Sequence, residues 1–116
     1  MKKYVGVFCP DTHKFIASQC DGNLELEQIY QLLSYTDNSV DLFDRVIIND
    51  EIDFLVDDIG LLRHNPIICE YDVNGMTIRL AGRVIVVKKD LEGNYLGMTK
   101  DEIMNKIGDV TWRIYL

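Results

Sequence analysis

Cysteine, histidine and proline are scarce in this 116-residue sequence, which contains three cysteines, two histidines and two prolines. An odd number of irregularly spaced cysteines (Cys9, Cys20 and Cys69) provides no disulfide framework, so we interpret them as small buried apolar side chains. Cys9 and His13 are close in sequence, but they straddle a predicted strand end and turn, and no fourth ligand completes a zinc site. We therefore expect neither a metal nor another cofactor.

Long hydrophobic runs are also absent, since no apolar stretch approaches the roughly 18 residues that a membrane-spanning helix requires. The first residues are basic, and the apolar stretch 4–9 stops at Pro10 and Asp11. This stretch is too short for a signal peptide, and no small-residue cleavage site follows it. The pattern predicts a cytoplasmic protein without membrane association, and the length predicts one domain spanning residues 1–116.

Recognisable catalytic motifs are missing as well. His13 and His64 are the only imidazoles, and neither belongs to a recognisable nucleophile motif. Gly93, Gly97 and Gly108 are too widely spaced for a phosphate-binding loop. Two of the nineteen acids can in principle form an acid–base pair, but the sequence does not single one out. We expect a non-enzymatic protein, and an enzyme with an unrecognised site is the third alternative.

Negative charge is abundant and concentrated in one part of the chain. Residues 37–58 contain eight of the nineteen acids and only Arg45 among the twelve bases, so this window alone carries the net charge of −7. A general nucleic-acid binder needs a net positive surface, so we expect no direct nucleic-acid binding. A dense carboxylate field either keeps an exposed face soluble or docks a basic protein. The second interpretation predicts a protein-binding site formed by Asp50, Glu51, Asp53, Asp57 and Asp58.

Alternating and continuous apolar patterns predict eight strands, at residues 4–9, 14–18, 43–48, 52–56, 67–73, 76–80, 83–89 and 110–116. Asn74 and Gly75 separate two of them and are typical of a two-residue hairpin turn. The run Val84 to Val87 is apolar at every position, as expected of a central strand that is covered on both faces.

Two helices complete the predicted elements. Asn23 is suited to cap the first, whose apolar residues recur at helical spacing at positions 26, 29, 30 and 33. Thr99 and Glu102 form a capping box at the start of the second, which is expected to end near Gly108. Hairpins dominate and helices are few. The predicted fold is therefore α+β, with a mainly antiparallel sheet and two helices packed on one face.

A second candidate site combines a loop with the hairpin that follows it, through Arg63, His64, Asn65, Arg79 and Arg83. Arginine grips phosphate or carboxylate through forked hydrogen bonds, so this set predicts a small-ligand protein that binds or sequesters a nucleotide. In the competing interpretation, Arg79 and Arg83 are ordinary solvent-facing strand residues, which polar-outward alternation explains.

Five short segments match the pattern of a known family: Asp-Gly-Asn-Leu-Glu at 21–25, Val-Ile-Ile-Asn-Asp-Glu at 46–51, Gly-Leu-Leu-Arg-His-Asn-Pro at 60–66, Ala-Gly-Arg-Val-Ile-Val-Val at 81–87 and Met-Thr-Lys-Asp-Glu at 98–102. Through these segments the chain resembles an uncharacterised family of small acidic proteins encoded by bacteriophages and mobile elements of Gram-positive bacteria. The loop 60–66 departs from the family pattern because it lacks the usual Asn-Arg pair.

The resemblance implies a biological setting rather than a mechanism, because the family brings no established activity. Small acidic proteins from such settings often bind host or defence components. The resemblance therefore implies an accessory protein of the host cytoplasm that binds a basic host or defence protein and acts as an inhibitor or nucleic-acid mimic. Homo-oligomerisation is left open.

Overall fold

Strands dominate the computed structural model, which describes residues 2–35, 39–73, 75–107 and 110–115. The nine strands in these ranges are β1 (Lys3–Cys9), β2 (Lys14–Cys20), β3 (Phe43–Ile47), β4 (Ile52–Asp57), β5 (Ile68–Val73), β6 (Met76–Ala81), β7 (Val84–Lys89), β8 (Tyr95–Leu96) and β9 (Thr111–Tyr115). The two helices are α1 (Leu26–Leu33) and α2 (Lys100–Ile107), and a 3₁₀ turn, Gly60–Leu62, follows β4. No helix within these ranges is long and apolar enough to cross a membrane. Four residues that entered the sequence predictions lie outside them: Asp37, Asn74, Gly108 and Leu116.

The strands form two antiparallel sheets. The large sheet has the order β2-β1-β7-β4-β3, and the two-residue β8 pairs with β7. The small sheet has the order β6-β5-β9. These sheets and the two helices confirm the predicted α+β class, and each of the eight predicted strands is present. The additional strand, β8, was not predicted.

The two helices pack on opposite faces of the large sheet. Ile29 and Leu33 of α1 belong to a buried cluster on one face, which we call the α1 face. Ile103 and Ile107 of α2 join the small sheet in a second cluster on the other face, which we call the core face. This arrangement differs from the expected packing of both helices on one face. The physical reason lies in β7, because its residues 84–87 are all buried and alternate between the two clusters.

Aromatic side chains fill the space between the two sheets. The ring centroid of Phe8 lies 5.0 Å from that of Tyr71 and 5.2 Å from that of Trp112, both in edge-on geometry. Phe54 of β4 packs against Tyr71 at 5.7 Å. These contacts join β1 and β4 of the large sheet to β5 and β9 of the small sheet. Edge-on pairs add to the free energy gained by burial alone.

The two helices begin in different ways. The predicted capping box of α2 is confirmed, because the Glu102 N–H donates to Thr99 Oγ1 at 3.1 Å and the Thr99 N–H donates to the Glu102 carboxylate at 3.2 Å. The predicted cap of α1 is wrong. Asn23 instead forms an isolated bridge with Leu96, so the chain is held beside β8 and the helix begins only after Glu25.

Candidate protein-binding site

The five predicted protein-binding acids lie along the β3–β4 hairpin, but they do not form one exposed surface. Asp53 is fully buried on β4, where it shares the α1 face with Leu55. Its Oδ1 accepts a hydrogen bond from Lys89 Nζ at 2.6 Å, while Oδ2 has no hydrogen-bond partner in the described part of the chain. The prediction of Asp53 as a surface contact is thus corrected, because β4 is covered on both faces and alternation places Asp53 on the α1 face beside Leu55.

Asp57 and Glu51 are each engaged by a basic side chain from outside the hairpin. Both carboxylate oxygens of Asp57 accept hydrogen bonds from the Arg63 guanidinium, and the bond raises the pKa of Arg63. Glu51 accepts a hydrogen bond from Lys106 Nζ of α2 at 2.7 Å, which lowers the pKa of Glu51. The charges of both acids are therefore largely balanced within the protein.

Asp50 and Asp58 remain exposed, and so do Asp41 and Asp44. None of these four forms an ion pair with another residue in the described ranges. Asp50 lies in the turn between β3 and β4, whereas the other three lie at the opposite end of the hairpin. The exposed negative charge is thus divided between two ends, and Asp41 and Asp44 belong to it although the predicted site did not include them.

The alternative ligand-binding residues are not gathered into one site. Each of the three arginines pairs with a carboxylate on a different element: Arg63 with Asp57, Arg79 with Glu70 and Arg83 with Asp11. The Arg83 guanidinium is forked onto both oxygens of its partner at 3.0 and 2.9 Å, which raises its pKa. His64 and Asn65 are exposed in the loop after the 3₁₀ turn. Each of these arginines already forms an ion pair with a carboxylate of the protein, which leaves fewer of its N–H groups for a ligand. Small-ligand binding by this set stays a prediction.

A groove of about 370 Å³ opens beside one end of the β3–β4 hairpin, between the hairpin, the 3₁₀ turn and β6. Its apolar lining includes Val46, Val56, Ile59, Leu61, Leu62 and Leu80. Leu61 is 54% exposed and Leu62 is 84% exposed. Contiguous exposed apolar surface of this kind often marks a binding site on a protein.

The groove depends on the close approach of the 3₁₀ turn to β6. Gly60 makes this approach possible, because a Cβ atom at this position would lie only 3.0 Å from the carbonyl oxygen of Ala81. The turn then leaves its two leucines, Leu61 and Leu62, outside the core. In the sequence, the two adjacent leucines directly after a glycine in the loop 60–66 were the one available signal for this surface.

Exposed carboxylates belong to the same groove. Asp44 on β3 and Asp58 after β4 are among its lining residues. The Asp58 N–H donates to the carbonyl oxygen of Leu42 at 3.2 Å, and the side chain of Leu42 is 61% exposed. The site therefore combines an apolar floor with carboxylates that no basic side chain in the described ranges neutralises. We call it the acidic groove, defined by Asp44, Asp58, Val46, Leu61, Leu62 and Leu80.

A second cavity, of about 280 Å³, lies between β2 and α2 and includes Phe15, Ile103 and Met104 in its lining. Its charged lining residue is Lys100, whose Nζ lies 4.9 Å from the centroid of the Tyr4 ring. This cavity contains none of the predicted site residues. Across the described ranges, no three histidine, cysteine, aspartate or glutamate side chains converge as metal ligands.

Comparison of this chain with protein-family models, with curated proteins and with solved structures finds no match. The fold class is that of an α+β domain with two antiparallel sheets. The phage-family resemblance stays a prediction, so the proposal for function below rests on the geometry and charge of the groove.

Proposed function

We propose that this chain is a non-enzymatic binding protein that docks a basic host or defence protein through the acidic groove. The observation that carries the proposal is the presence of exposed leucines and exposed carboxylates in one groove of about 370 Å³. Apolar surface supplies affinity when it is buried, and unpaired carboxylates select a partner that carries lysine or arginine beside an apolar side chain.

The distribution of charge supports a basic partner rather than an acidic or neutral one. Asp53, Asp57 and Glu51 each have an internal basic partner, so the groove acids Asp44 and Asp58 contribute most of the uncompensated charge at their end of the hairpin. Such charges accelerate the encounter with a positive surface, and the acceleration is screened over roughly 10 Å at 0.1 M salt.

The proposed setting is the cytoplasm of a bacterial host, as the sequence resemblance implies. A partner whose basic surface normally contacts nucleic acid would be inhibited when the groove occupies that surface. Mimicry of a nucleic acid along the whole hairpin has less support, because residues 45–49 between Asp44 and Asp50 contain no acid and include the basic Arg45. The proposed inhibition is therefore local to the groove.

The test is a pull-down from bacterial lysate at low and high salt with three forms of the chain. The charge-reversal variant is Asp44→Lys/Asp58→Lys. The matched control is Glu25→Lys/Glu27→Lys, which changes the same charge at two exposed acids next to and on α1. We expect a partner that is captured by the wild type and by the control, but lost from the groove variant and at high salt.

Equal capture by all three forms would contradict the groove as the binding site. Loss of capture from both variants would attribute binding to net charge alone and would also contradict it. Circular dichroism of each variant establishes that the fold is retained, as expected for exposed positions.

A further inference from the structure

The outer strand of the large sheet borders the acidic groove. β3 ends the order β2-β1-β7-β4-β3, so it is an edge strand. Asp44 and Val46, which line the groove, are both on β3. A strand added beside β3 would therefore place its own side chains next to the groove.

The hydrogen bonds between β3 and β4 show which backbone groups of β3 point outward. The Asp58 N–H donates to the Leu42 carbonyl at 3.2 Å, and the Ile48 N–H donates to the Ile52 carbonyl at 3.1 Å. In an antiparallel pair these bonds are made by every second residue, so the even-numbered residues of β3 face β4. The N–H and C=O groups of Phe43, Arg45 and Ile47 consequently point away from β4, toward the outer edge of the sheet. Asp44 Oδ1 accepts a hydrogen bond from the Arg45 N–H at 2.8 Å there, so a partner strand would exchange this local bond for one to its own carbonyl and free the Asp44 carboxylate for a basic side chain.

Side chains beside this edge add to its suitability for a partner strand. Ile47 is 61% exposed on the α1 face, two residues beyond the exposed Arg45. On the core face, β3 presents an acidic side chain, Asp44, and two residues later an apolar side chain, Val46. An edge strand with exposed apolar residues is a template for pairing with another chain.

We propose that the partner binds by strand addition to β3, through an extended basic segment that pairs with the outward backbone groups of Phe43, Arg45 and Ile47. On the core face, this segment carries a lysine or arginine near Asp44 and, two residues away, an apolar side chain near Val46 and the groove. On the α1 face, a further apolar side chain covers Ile47. The inference rests on the proposed function, because it specifies how the acidic groove receives its partner.

Charge decides between a basic partner and a second copy of this chain. Antiparallel pairing of two β3 strands would place the Asp44 carboxylates of the two copies opposite each other if it were centred on Asp44, and the two Arg45 guanidinium groups opposite each other if it were centred on Arg45. Like charges placed opposite each other on paired strands are destabilising. A basic segment removes this repulsion and pairs the same carboxylates with opposite charge, so it is the favoured occupant.

The test uses a capped peptide with two copies of the repeat Lys-Val-Leu-Val, in which lysine and leucine share one face of an extended strand. Binding is measured by fluorescence anisotropy with the full chain and two variants. Arg45→Pro removes one outward N–H together with its local bond to the exposed Asp44 carboxylate, and an edge strand tolerates proline where its N–H does not serve the sheet. Arg45→Ala is the matched control, because it changes the same side chain and keeps the N–H.

We expect Arg45→Pro to raise the Kd at least about tenfold, whereas Arg45→Ala does not raise it. Two N-methylated peptides extend the test, one blocked at the lysine and leucine amides and the other at the valine amides. Strand addition uses amides on one side of the peptide only, so one methylated form should bind and the other should not. Amide hydrogen exchange should slow at Arg45 and Ile47 on binding.

Each other outcome identifies what has failed. If Asp44→Lys/Asp58→Lys abolishes peptide binding while Arg45→Pro and both methylated peptides behave like their controls, strand addition is refuted and the groove proposal stands. If neither the charge reversal nor the proline changes binding, both are refuted. A peptide-independent dimer seen by light scattering, with β3 amides already protected, would replace the basic partner by a second copy of this chain.

Discussion

The carboxylate of Asp53 lies 2.6 Å from the ammonium group of Lys89, and Asp53 is 0% exposed while the Lys89 side chain is 18% exposed. Asp53 stands opposite Val87 in the pairing of β4 with β7, and Lys89 lies two residues beyond Val87, so the ion pair links these two neighbouring strands diagonally. A buried ion pair contributes little net stability compared with apolar residues of similar volume, but the loss of one partner leaves an uncompensated charge.

Lys89→Ala should therefore lower the free energy of unfolding by about 3–5 kcal/mol, as measured by urea denaturation. The double variant Asp53→Leu/Lys89→Met removes both charges, and we expect it to be at least as stable as Lys89→Ala and close to the wild type. If the double variant were as unstable as the single one, the pair would contribute through its hydrogen bond rather than through charge compensation.

Tyr71 offers a test of a polar group that the core does not satisfy. Its side chain is fully buried, and its hydroxyl has no nitrogen or oxygen partner in the described residues and only the weakly polar Cys69 thiol nearby. Desolvation, followed by the Cys69 thiol, raises the pKa of Tyr71. Removal of an unsatisfied buried group is neutral or favourable, so Tyr71→Phe should leave stability unchanged or raise it by about 1 kcal/mol. Tyr71→Ala should cost about 3–5 kcal/mol, because it also removes the ring. Thermal and urea melts of both variants measure the difference.

Stability should fall in acid because several carboxylates have lowered pKa values in the folded chain. Hydrogen bonds from Thr99 lower the pKa of Glu102, those from Arg113 lower the pKa of Asp72, and those from Asn94 lower the pKa of Asp90. Their ordinary values are 4.5 for glutamate and 3.8 for aspartate. A lowered folded pKa gives stability that is complete above the ordinary value and is lost as the pH falls through the folded one.

Urea melts from about pH 7 to about pH 3 should therefore show a constant stability at first and a decline that begins near the ordinary values. Glu102→Gln keeps the helix cap but cannot titrate, so its decline should be shallower. A decline of equal steepness would show that Glu102 does not contribute to acid sensitivity.

The three thiols should be unreactive in the folded chain. Cys9, Cys20 and Cys69 are buried, and desolvation raises the pKa of each thiol. Because the thiolate is the reactive species, we expect Ellman's reagent at about pH 8 to label none of them quickly in buffer and all of them in urea. Rapid labelling of a thiol in buffer would show local opening around that residue.

Leu62→Ser should separate binding from folding. Leu62 is 84% exposed in the acidic groove, so its replacement should change the free energy of unfolding by less than about 0.5 kcal/mol. The same change should weaken capture of a groove partner, because the apolar contact is lost. The exposed Leu91, far along the chain in the β7–β8 turn, provides the matched control Leu91→Ser. Equal binding by both variants would place the contact outside the groove.

Local signals in the sequence predicted the elements well. The reciprocal pair Thr99–Glu102 requires only residues three positions apart, and the turn after Val73 depends on a glycine whose φ is 77°. Strand existence likewise follows from alternation along one segment. These features are decided by near neighbours in the chain, which the sequence displays directly.

Long-range pairing was less accessible. The charge of Asp53 is balanced by Lys89 and that of Asp57 by Arg63. Neither pairing can be predicted from the number of charges in a stretch of sequence. The prediction had one sheet, whereas the structure has two. The apolar run Val84–Val87 requires cover on both faces, but it does not say which element supplies that cover. The groove was missed because it arises only where the 3₁₀ turn meets β6.

The place of β7 in the large sheet has a consequence for synthesis. β7 joins β1 to β4, although both of its neighbours are translated well before it. Before residue 84 is translated, the chain can form the hairpins β1–β2 and β3–β4, but the edges of β1 and β4 that pair with β7 are still unpaired. Nascent chains at this stage should be prone to aggregation and should bind chaperones. A chain truncated before residue 84 should not form the large sheet, because it lacks the strand that joins the two hairpins.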